Sequence, residues 1–553
     1  MREQLTSLLL EAVRSALGDT QFEGDLASKV RLAPAKNREH GDFASNVALA
    51  LARPLGLEPR AFAAQIVAEL GNGGGILERV DIASPGFINF VLADERWHDW
   101  IDRALREGEE FGLSNGGGGE RVQVELVSAN PTGPLTIGHG RNAVLGDAIA
   151  RILRASGYEV TREYYFNDAG RQMRVLAGSL RARYAQLCGR AEELPEEGYQ
   201  GEYLIDIARS LYAEVGDSWL EETEEKFKQR AQAAIFDEIR ATLERLGIEF
   251  ESYFNENTLY TDGLVEAALE DLRELGLVYE SEGATWLRST DLKLDRDRVL
   301  VKSSGEPTYL LPDIAYHREK FRRGFQRMVD IFGPDHIEQF PYVQAAVSAL
   351  GHEGDRVEVA IYQWVNLRRG GEIVKMSTRK ASFVTIDEVL DEVGSDVFRF
   401  FMIERRADTH LDFDLDLAQE RSDRNPVFKI QYAHTRLCSI ERRATEEGFE
   451  QAQAGGADLA RLESPAEKEL AVELGRYPER IARAAREREP QVIARYLLDL
   501  ASAFHTYISD ARNHRVLSED RALSEARLAL VRAIRITLAN GLNLLGISAP
   551  EQM

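Results

Sequence analysis

Cysteine is nearly absent. Cys188 and Cys438 are the only two in 553 residues, too few and too far apart for a disulfide framework or a thiolate zinc site. A reducing compartment, the cytoplasm, is therefore expected, with no structural metal. No apolar run approaches the roughly 18 residues of a membrane span. The opening MREQLTSLLLEAVRSALGD mixes acids with a short apolar period and predicts an amphipathic helix, not a secretion signal. Positive charge is scarce as well: 68 Lys and Arg stand against 92 Asp and Glu, a formal net charge of −24. That lacks the overall basic footprint of a typical nucleic-acid binder, so any such footprint has to be local. Arg318, Lys320, Arg322 and Arg323 form one basic cluster, and Arg476, Arg480, Arg483, Arg486 and Arg488 another; an isolated run of this kind is ordinarily a solvated helix face.

What is present is the composition of an ordinary globular chain, 44% hydrophobic and 29% charged, long enough for three or four domains at about 150 residues each. Residues 121–157 organise it. Val122, Val124 and Leu126 alternate with Arg121, Gln123 and Glu125 at strand period. From Gly138 onward Val144, Leu145, Ala148, Ile149, Ile152 and Leu153 recur at helical spacing up to a stop at Gly157. The turn between strand and helix, 130–140, is rich in Gly and Pro and delivers His139 and Gly140 to the first helical turn. Unpaired backbone N–H groups and the positive dipole end favour an anion there.

The rest of the chain falls into segments. Residues 1–112 predict a small mixed α/β domain, with a Pro-Gly turn feeding an alternating strand at 81–92, and 113-LSNGGGG-119 is a flexible connector. A strand at 159–166 ends in Asn167-Asp168 and leads into a helix; a polar tip at the C-terminal end of a strand is where doubly wound sheets hold ligands. Residues 190–295 turn acidic and helical and predict an insertion with no chemistry of its own. Val329-Asp330-Ile331-Phe332 is a short strand followed by Gly333-Pro334-Asp335-His336, an acceptor pair suited to ribose hydroxyls or a bound amino group. Beyond 382 the chain predicts a helical bundle almost throughout.

Four segments carry a family resemblance. The run SANPTGPLTIGHGRNAVLGD, with Ile137-Gly138-His139, resembles the HIGH motif of class I aminoacyl-tRNA synthetases as it occurs in arginyl-tRNA synthetases. PTYLLPDIAYH and the run to Phe340 are similar to that family's second half. Lys375-Met376-Ser377-Thr378-Arg379 resembles the KMSKS loop, and YLLDLASAFHTYISDARN with GLNLLGISAPEQM resembles the anticodon-binding domain. NREHGDFASN and ASPGFINF look like pieces of the family's N-terminal domain. The resemblance implies an α/β fold: a Rossmann-like catalytic domain (113–381, with a helical insertion at about 190–295), a small α/β N-terminal domain contacting tRNA (1–112), and an all-α anticodon-binding bundle (382–553).

The activity implied is ligation of L-arginine to tRNA(Arg). Arginine and ATP, with Mg²⁺ on the nucleotide, form arginyl-adenylate, and the arginyl group passes to the 2′-hydroxyl of the terminal adenosine; a monomer is the form implied. Carried onto this sequence, the catalytic residues are His139, Lys375, Ser377 and Arg379. Thr136, Gly138, His139, Gly140, Asp335, His336, Met376 and Lys380 line the ATP site. Glu125, Asn130, Tyr309 and Asp313 line the arginine site. A guanidinium stays protonated at any working pH and presents planar donors, so carboxylates suit it. The sequence departs from the family pattern twice: Thr136 replaces the first His of HIGH and Thr378 the second Lys of KMSK, leaving Arg379 or Lys380 to meet the phosphates. Two other classes remain open on sequence alone, a non-catalytic RNA-binding relative and a small-molecule nucleotidylyltransferase.

Overall fold

The structure is a computed structural model describing all residues except 1, 19, 21, 23, 36–40 and 375–383, together with all side chains of that set but those of Arg2, Glu3, Pro34 and His336. The chain divides into two compact units that do not follow chain order. One comprises Met1–Gly108, Arg443–Gly475 and Asp510–Ala533, the other Glu109–Arg442, Arg476–Ser509 and Ile534–Met553.

In the first unit, strands β1 (Leu32–Pro34), β2 (Phe43–Ser45), β3 (Leu77–Ala83) and β4 (Phe87–Leu92) form an antiparallel sheet in the order β1-β2-β4-β3. Helices α1 (Arg2–Leu17), α2 (Val47–Leu55) and α3 (Pro59–Leu70) cover it, and α4 (Glu95–Glu107) follows. Leu5, Leu9 and Val13 recur at helical spacing on α1 and are fully buried, as are Leu51, Ile66, Ile88 and Phe90.

The second unit is built on a five-stranded parallel sheet. Its strands are β5 (Arg121–Glu125), β6 (Glu159–Phe166), β7 (Ser252–Asn255), β11 (Arg327–Phe332) and β12 (Val357–Ile361), in the order β12-β11-β5-β6-β7. The order reverses at β5, which therefore marks the switch point where doubly wound sheets bind ligands. Helix α5 (Ile137–Ala155) follows β5; its apolar residues are buried nearly all round, as expected of a helix inside a large domain. Helices α6 (Gly170–Leu187), α7 (Glu202–Val215) and α8 (Glu224–Arg245) come next. After β7 lie α9 (Asn257–Thr261), α10 (Leu264–Glu274) and a small antiparallel sheet of β8 (Val278–Ser281), β9 (Ala284–Leu287) and β10 (Arg298–Val301). Helix α11 (Leu310–Arg322) packs beside α10 and α12 (Phe340–Ala349) around Leu311, Ile314 and Val343.

The span read as a helical insertion thus carries β7, a strand of the central sheet, besides β8 and β9 of the small antiparallel sheet, whose third strand, β10, begins just beyond it. Four residues, Ser252–Asn255, are too few for a period-2 pattern to show. The stretch beyond 382 likewise holds a strand, β15 (Leu411–Asp414). It pairs in parallel with β13 (Val365–Arg369), whose other neighbour is β14 (Glu372–Ile373). Helices α13 (Ile386–Val393), α14 (Ser395–Ile403) and α15 (Leu415–Gln419) surround that strand, and α16 (Pro426–Glu446), α17 (Pro465–Glu487), α18 (Gln491–Ser509) and α19 (Arg521–Leu544) complete the chain. Asn425 caps α16, its side-chain oxygen accepting from Val427 N–H at 3.1 Å. Among the described residues no helix is long and apolar enough to cross a membrane, and both cysteines are free thiols.

Candidate active site

The chain leaves β5 through two residues in the left-handed region, Val127 (φ 65°) and Ser128 (φ 46°). A β-branched residue there is strained by about 1–3 kcal/mol, and the surroundings hold it. Asn142 on α5 accepts from Val127 N–H at 2.6 Å and donates to the carbonyl of Ile331 on β11 at 2.7 Å. Ser128 Oγ donates to Glu125 at 3.0 Å and accepts from Tyr165 N–H at 3.3 Å. Strand end, helix and neighbouring strand are thereby locked around the switch point.

At the start of α5 the Thr136 N–H donates to His139 Nδ1 at 3.1 Å. With Nδ1 accepting, the ring proton sits on Nε2; burial lowers the His139 pKa and favours this neutral form. The two neighbouring glycines differ. A Cβ on Gly138 would meet nothing nearer than the Thr136 hydroxyl at 3.8 Å, whereas one on Gly140 would lie 2.5 Å from the Phe398 ring. Gly138 therefore leaves the helix start open to a ligand, while Gly140 lets α5 pack on α14. Farther along, Arg141 donates to the carbonyls of Gln363, Thr409 and Arg406 at 2.6, 2.8 and 2.9 Å.

Lys375, Met376, Ser377, Arg379 and Lys380 lie outside the described residues, as do the first four residues of NREHGDFASN, 37–40. The flanks of 375–383 are described. On one side Val374 N–H donates to the Leu367 carbonyl at 2.9 Å, extending the β13–β14 pairing. On the other, the chain pairs antiparallel with the helix start: Ile137 N–H donates to the Val384 carbonyl at 3.2 Å and Ile386 N–H to that of Leu135 at 2.9 Å, with Thr136 opposite Thr385. The residues that follow 375–383 thus adjoin the TIGH segment in the fold, though about 250 residues apart from it in sequence.

Beside this start lies a buried polar cluster. Glu125, 3% exposed, receives Lys320 Nζ at 2.7 Å; the same ammonium, fully buried, donates to Asp330 at 2.8 Å. Asp330 meets His317 Nε2 at 2.7 Å, and His317 Nδ1 meets the Asp313 carbonyl at 2.7 Å. Burial would raise the Asp330 pKa, yet Lys320 and His317 pull it down to about 2. Asp313 differs. Its side chain accepts from the Gln339 amide at 2.6 Å, and burial, together with the Glu125 and Glu256 charges and against the pull of His317 and Lys320, pushes its pKa up to about 7.

The remaining sequence candidates spread around this cluster. Tyr309 immediately precedes α11 and is 84% exposed. Asn130 accepts from Asn167 N–H at 3.0 Å and donates to Gln172 at 3.3 Å, tying the β5 and β6 loops together. Asp335 is exposed in a turn at the C-terminal end of β11, with His336 next to it. The Arg318–Arg323 cluster is not a basic footprint: Lys320 is interior, Arg323 pairs with buried Glu163, Arg318 with Asp271 and Arg322 with Glu319. Lys320, Asp330, His317 and Gln339 were missed as site residues. A lone Asp inside the apolar VDIF strand, and Lys320 two helical turns after Asp313, were the available signals.

Comparison with known proteins gives three matches to family models along the chain. The arginyl tRNA synthetase N terminal domain matches residues 7–92, the class I (R) tRNA synthetase catalytic domain 101–410, and the DALR anticodon binding domain 430–553. The arginine–tRNA ligase of Desulfotalea psychrophila is 47% identical over 554 residues, covering 100% of both chains. That of Salinibacter ruber is 46% identical over 564 residues, covering 98% of this chain and 99% of its own. Among solved structures, the arginyl-tRNA synthetase of Thermus thermophilus superposes with a TM-score of 0.76 at 25% identity, covering 99% of this chain and 100% of that one.

Proposed function

This chain belongs to the arginyl-tRNA synthetases of class I, and from that premise we propose how its residues divide the work of activating arginine with ATP and charging it to tRNA. In the first step the arginine carboxylate attacks the α-phosphorus as pyrophosphate departs. The attacker is already ionised, so the protein's task is positioning and charge stabilisation, not proton abstraction.

The nucleotide lies against the start of α5. Gly138 lets its phosphates approach the free backbone N–H groups, and His139 donates from Nε2, its other nitrogen being held by Thr136. Asp335 and His336 are assigned to the ribose. Lys375, Ser377 and Arg379, with Met376 and Lys380 beside them, meet the pyrophosphate as its charge develops, Arg379 or Lys380 standing in for the lysine that Thr378 replaces. Mg²⁺ enters with ATP as part of the substrate; among the described residues no cluster of His, Cys, Asp and Glu is suited to hold a resident ion. Arginine lies across the sheet end. Its guanidinium meets Asp313 and the ring of Tyr309, Glu125 is the second carboxylate of the pocket, already partnered by Lys320, and Asn130 faces the α-amino or carboxylate end.

The observation that carries this assignment is the pairing of Val384–Ile386 with Leu135–Ile137 beside the under-neutralised carboxyl of Asp313. It supports two basic-loop and helix-start segments converging on one triphosphate, next to a slot that calls for a cation.

For tRNA, Phe428 stacks on Tyr432 at 5.8 Å and Tyr432 on His505 at 5.7 Å, with the Arg436 guanidinium 5.6 Å from the Tyr432 ring. Phe428 and Tyr432 border a cleft of about 800 Å³ that Gln431 and Met553 also line. Such a platform suits an unstacked base, and we assign it to the anticodon. The domain limits 1–112, 113–381 and 382–553, a monomeric state and a cytoplasmic setting complete the proposal. The test is charging of total tRNA with each labelled amino acid in turn: arginine alone is expected to be incorporated, and lysine uptake at a similar rate would overturn the pocket assignment.

A further inference from the structure

The acidic span 190–295 shows no chemistry in sequence, yet three of its side chains reach the loops leaving β5 and β6. Tyr203, in the first turn of α7, donates its hydroxyl to the Thr132 carbonyl at 2.6 Å. Tyr199, just before α7, interacts electrostatically with the Thr132 side chain, and its N–H is fixed by Ser179 Oγ at 3.0 Å. Gln232 of α8 donates to Asp168, at the tip of β6, at 3.0 Å. Gly133 completes the fit, since a Cβ there would lie 3.3 Å from the Tyr203 ring and hydroxyl.

Thr132 stands two residues after Asn130 and four before Thr136, in a segment with prolines at 131 and 134. Prolines remove backbone donors, so this loop depends on outside partners for its position. We propose that Tyr203, assisted by Tyr199, is a positioning residue for arginine activation, holding the Asn130–Thr136 loop from the inserted helices. The proposal rests on seating arginine and ATP against residues 125–139. Because the brace acts nearer Asn130 than His139, it governs arginine more than ATP.

The test is Tyr203→Phe in the full-length chain, by ATP–pyrophosphate exchange with arginine and tRNA present and by thermal melting. Removing one hydroxyl is expected to raise KM for arginine about three- to tenfold, with KM for ATP and the melting temperature near wild type. Tyr199→Phe is expected to act in the same direction and less strongly. Tyr212→Phe, on the same helix and 41% exposed, is expected to match wild type. Wild-type arginine kinetics in Tyr203→Phe would overturn the brace. So would equal changes in both KM values with a lowered melting point, or the same effect from Tyr212→Phe. Asp313→Ala, assayed in parallel, separates the two ideas. If it leaves arginine use intact while Tyr203→Phe raises the arginine KM, the pocket assignment fails and the brace stands; the opposite pattern removes the brace alone.

Discussion

Asp147 and Asp313 are both carboxylates drawn out of water around one parallel sheet, and their surroundings treat them oppositely. Asp147 is fully buried and receives Arg151 at 2.7 Å, Arg162 at 2.7 Å and Arg399 at 2.6 Å. Burial alone would raise its pKa, but the guanidiniums hold it below the usual range. Arg399 also donates to the carbonyls of Leu545 at 2.9 Å and Leu246 at 2.8 Å, so its donors are used across three segments. Asp313 has Gln339 for its bonded side-chain partner, and its pKa rises to about 7. The nearby ammonium, Lys320, is already divided between Glu125 and Asp330. A saturated buried charge belongs to the frame; an under-neutralised one awaits a cation from outside.

The sharpest way to break this contrast is to delete each carboxylate's role in turn. Asp313→Ala is expected to lower kcat/KM for arginine about a thousandfold, as when one partner of a desolvated charge pair is lost, with the melting temperature maintained. Arg399→Met is expected to do the reverse. It uncovers a buried carboxylate and orphans two carbonyls, costing about 3–5 kcal/mol in urea unfolding, while enzyme that remains folded keeps its arginine KM. If Asp313→Ala proved chiefly destabilising, or Arg399→Met chiefly kinetic, the distinction between frame and site would fail.

A pH series sharpens the same point. With arginine seated as proposed, it binds the ionised form of Asp313, and its guanidinium stays charged throughout. Below pH about 7 the free carboxyl is protonated, so KM for arginine should rise as pH falls, approaching about tenfold per unit, while KM for ATP does not follow. Stability has the opposite sign. A pKa raised from 3.8 means the folded chain holds this proton more tightly than the unfolded one, so the contribution is present at low pH and is lost as pH climbs through about 7. Arginine should therefore raise the melting temperature more at pH 8 than at pH 6.

Much of this was legible in residue order, for physical reasons that also mark where legibility ended. The β5–α5 unit announces itself because period-2 and period-3.6 patterns meet at a Gly-rich turn, and both elements are buried enough to keep those patterns clean. β7 is a half-exposed edge strand of four residues, and β15 alternates over LDFD only; neither is long enough to carry a period. Lys320 looked like part of a solvated basic run because its neighbours Arg318 and Arg322 are partly exposed or exposed. Only the helix axis, which turns residue 320 onto the sheet with Asp313 and His317, separates it from them. Tyr203 gave no signal at all, since a hydroxyl aimed at a backbone carbonyl 71 residues away leaves no pattern in sequence.

The smallest expected effects come from the two glycines of the helix start, and they carry the frame-and-site contrast down to single methyl groups. Gly140→Ala puts a Cβ 2.5 Å from the buried Phe398 ring; α5 and α14 must part, at about 1–3 kcal/mol, and the loss appears in thermal melting. Gly138→Ala has open space on that side and trades a poor helix former for a good one, so its melting temperature should hold or rise slightly. On the proposed seating of ATP, the new methyl instead occupies the side from which phosphates approach, and KM for ATP should rise several-fold while KM for arginine changes less. Two residues apart on one turn, the same substitution is then read by different instruments, because one Cα faces the core and the other faces the open space where the proposal seats the nucleotide.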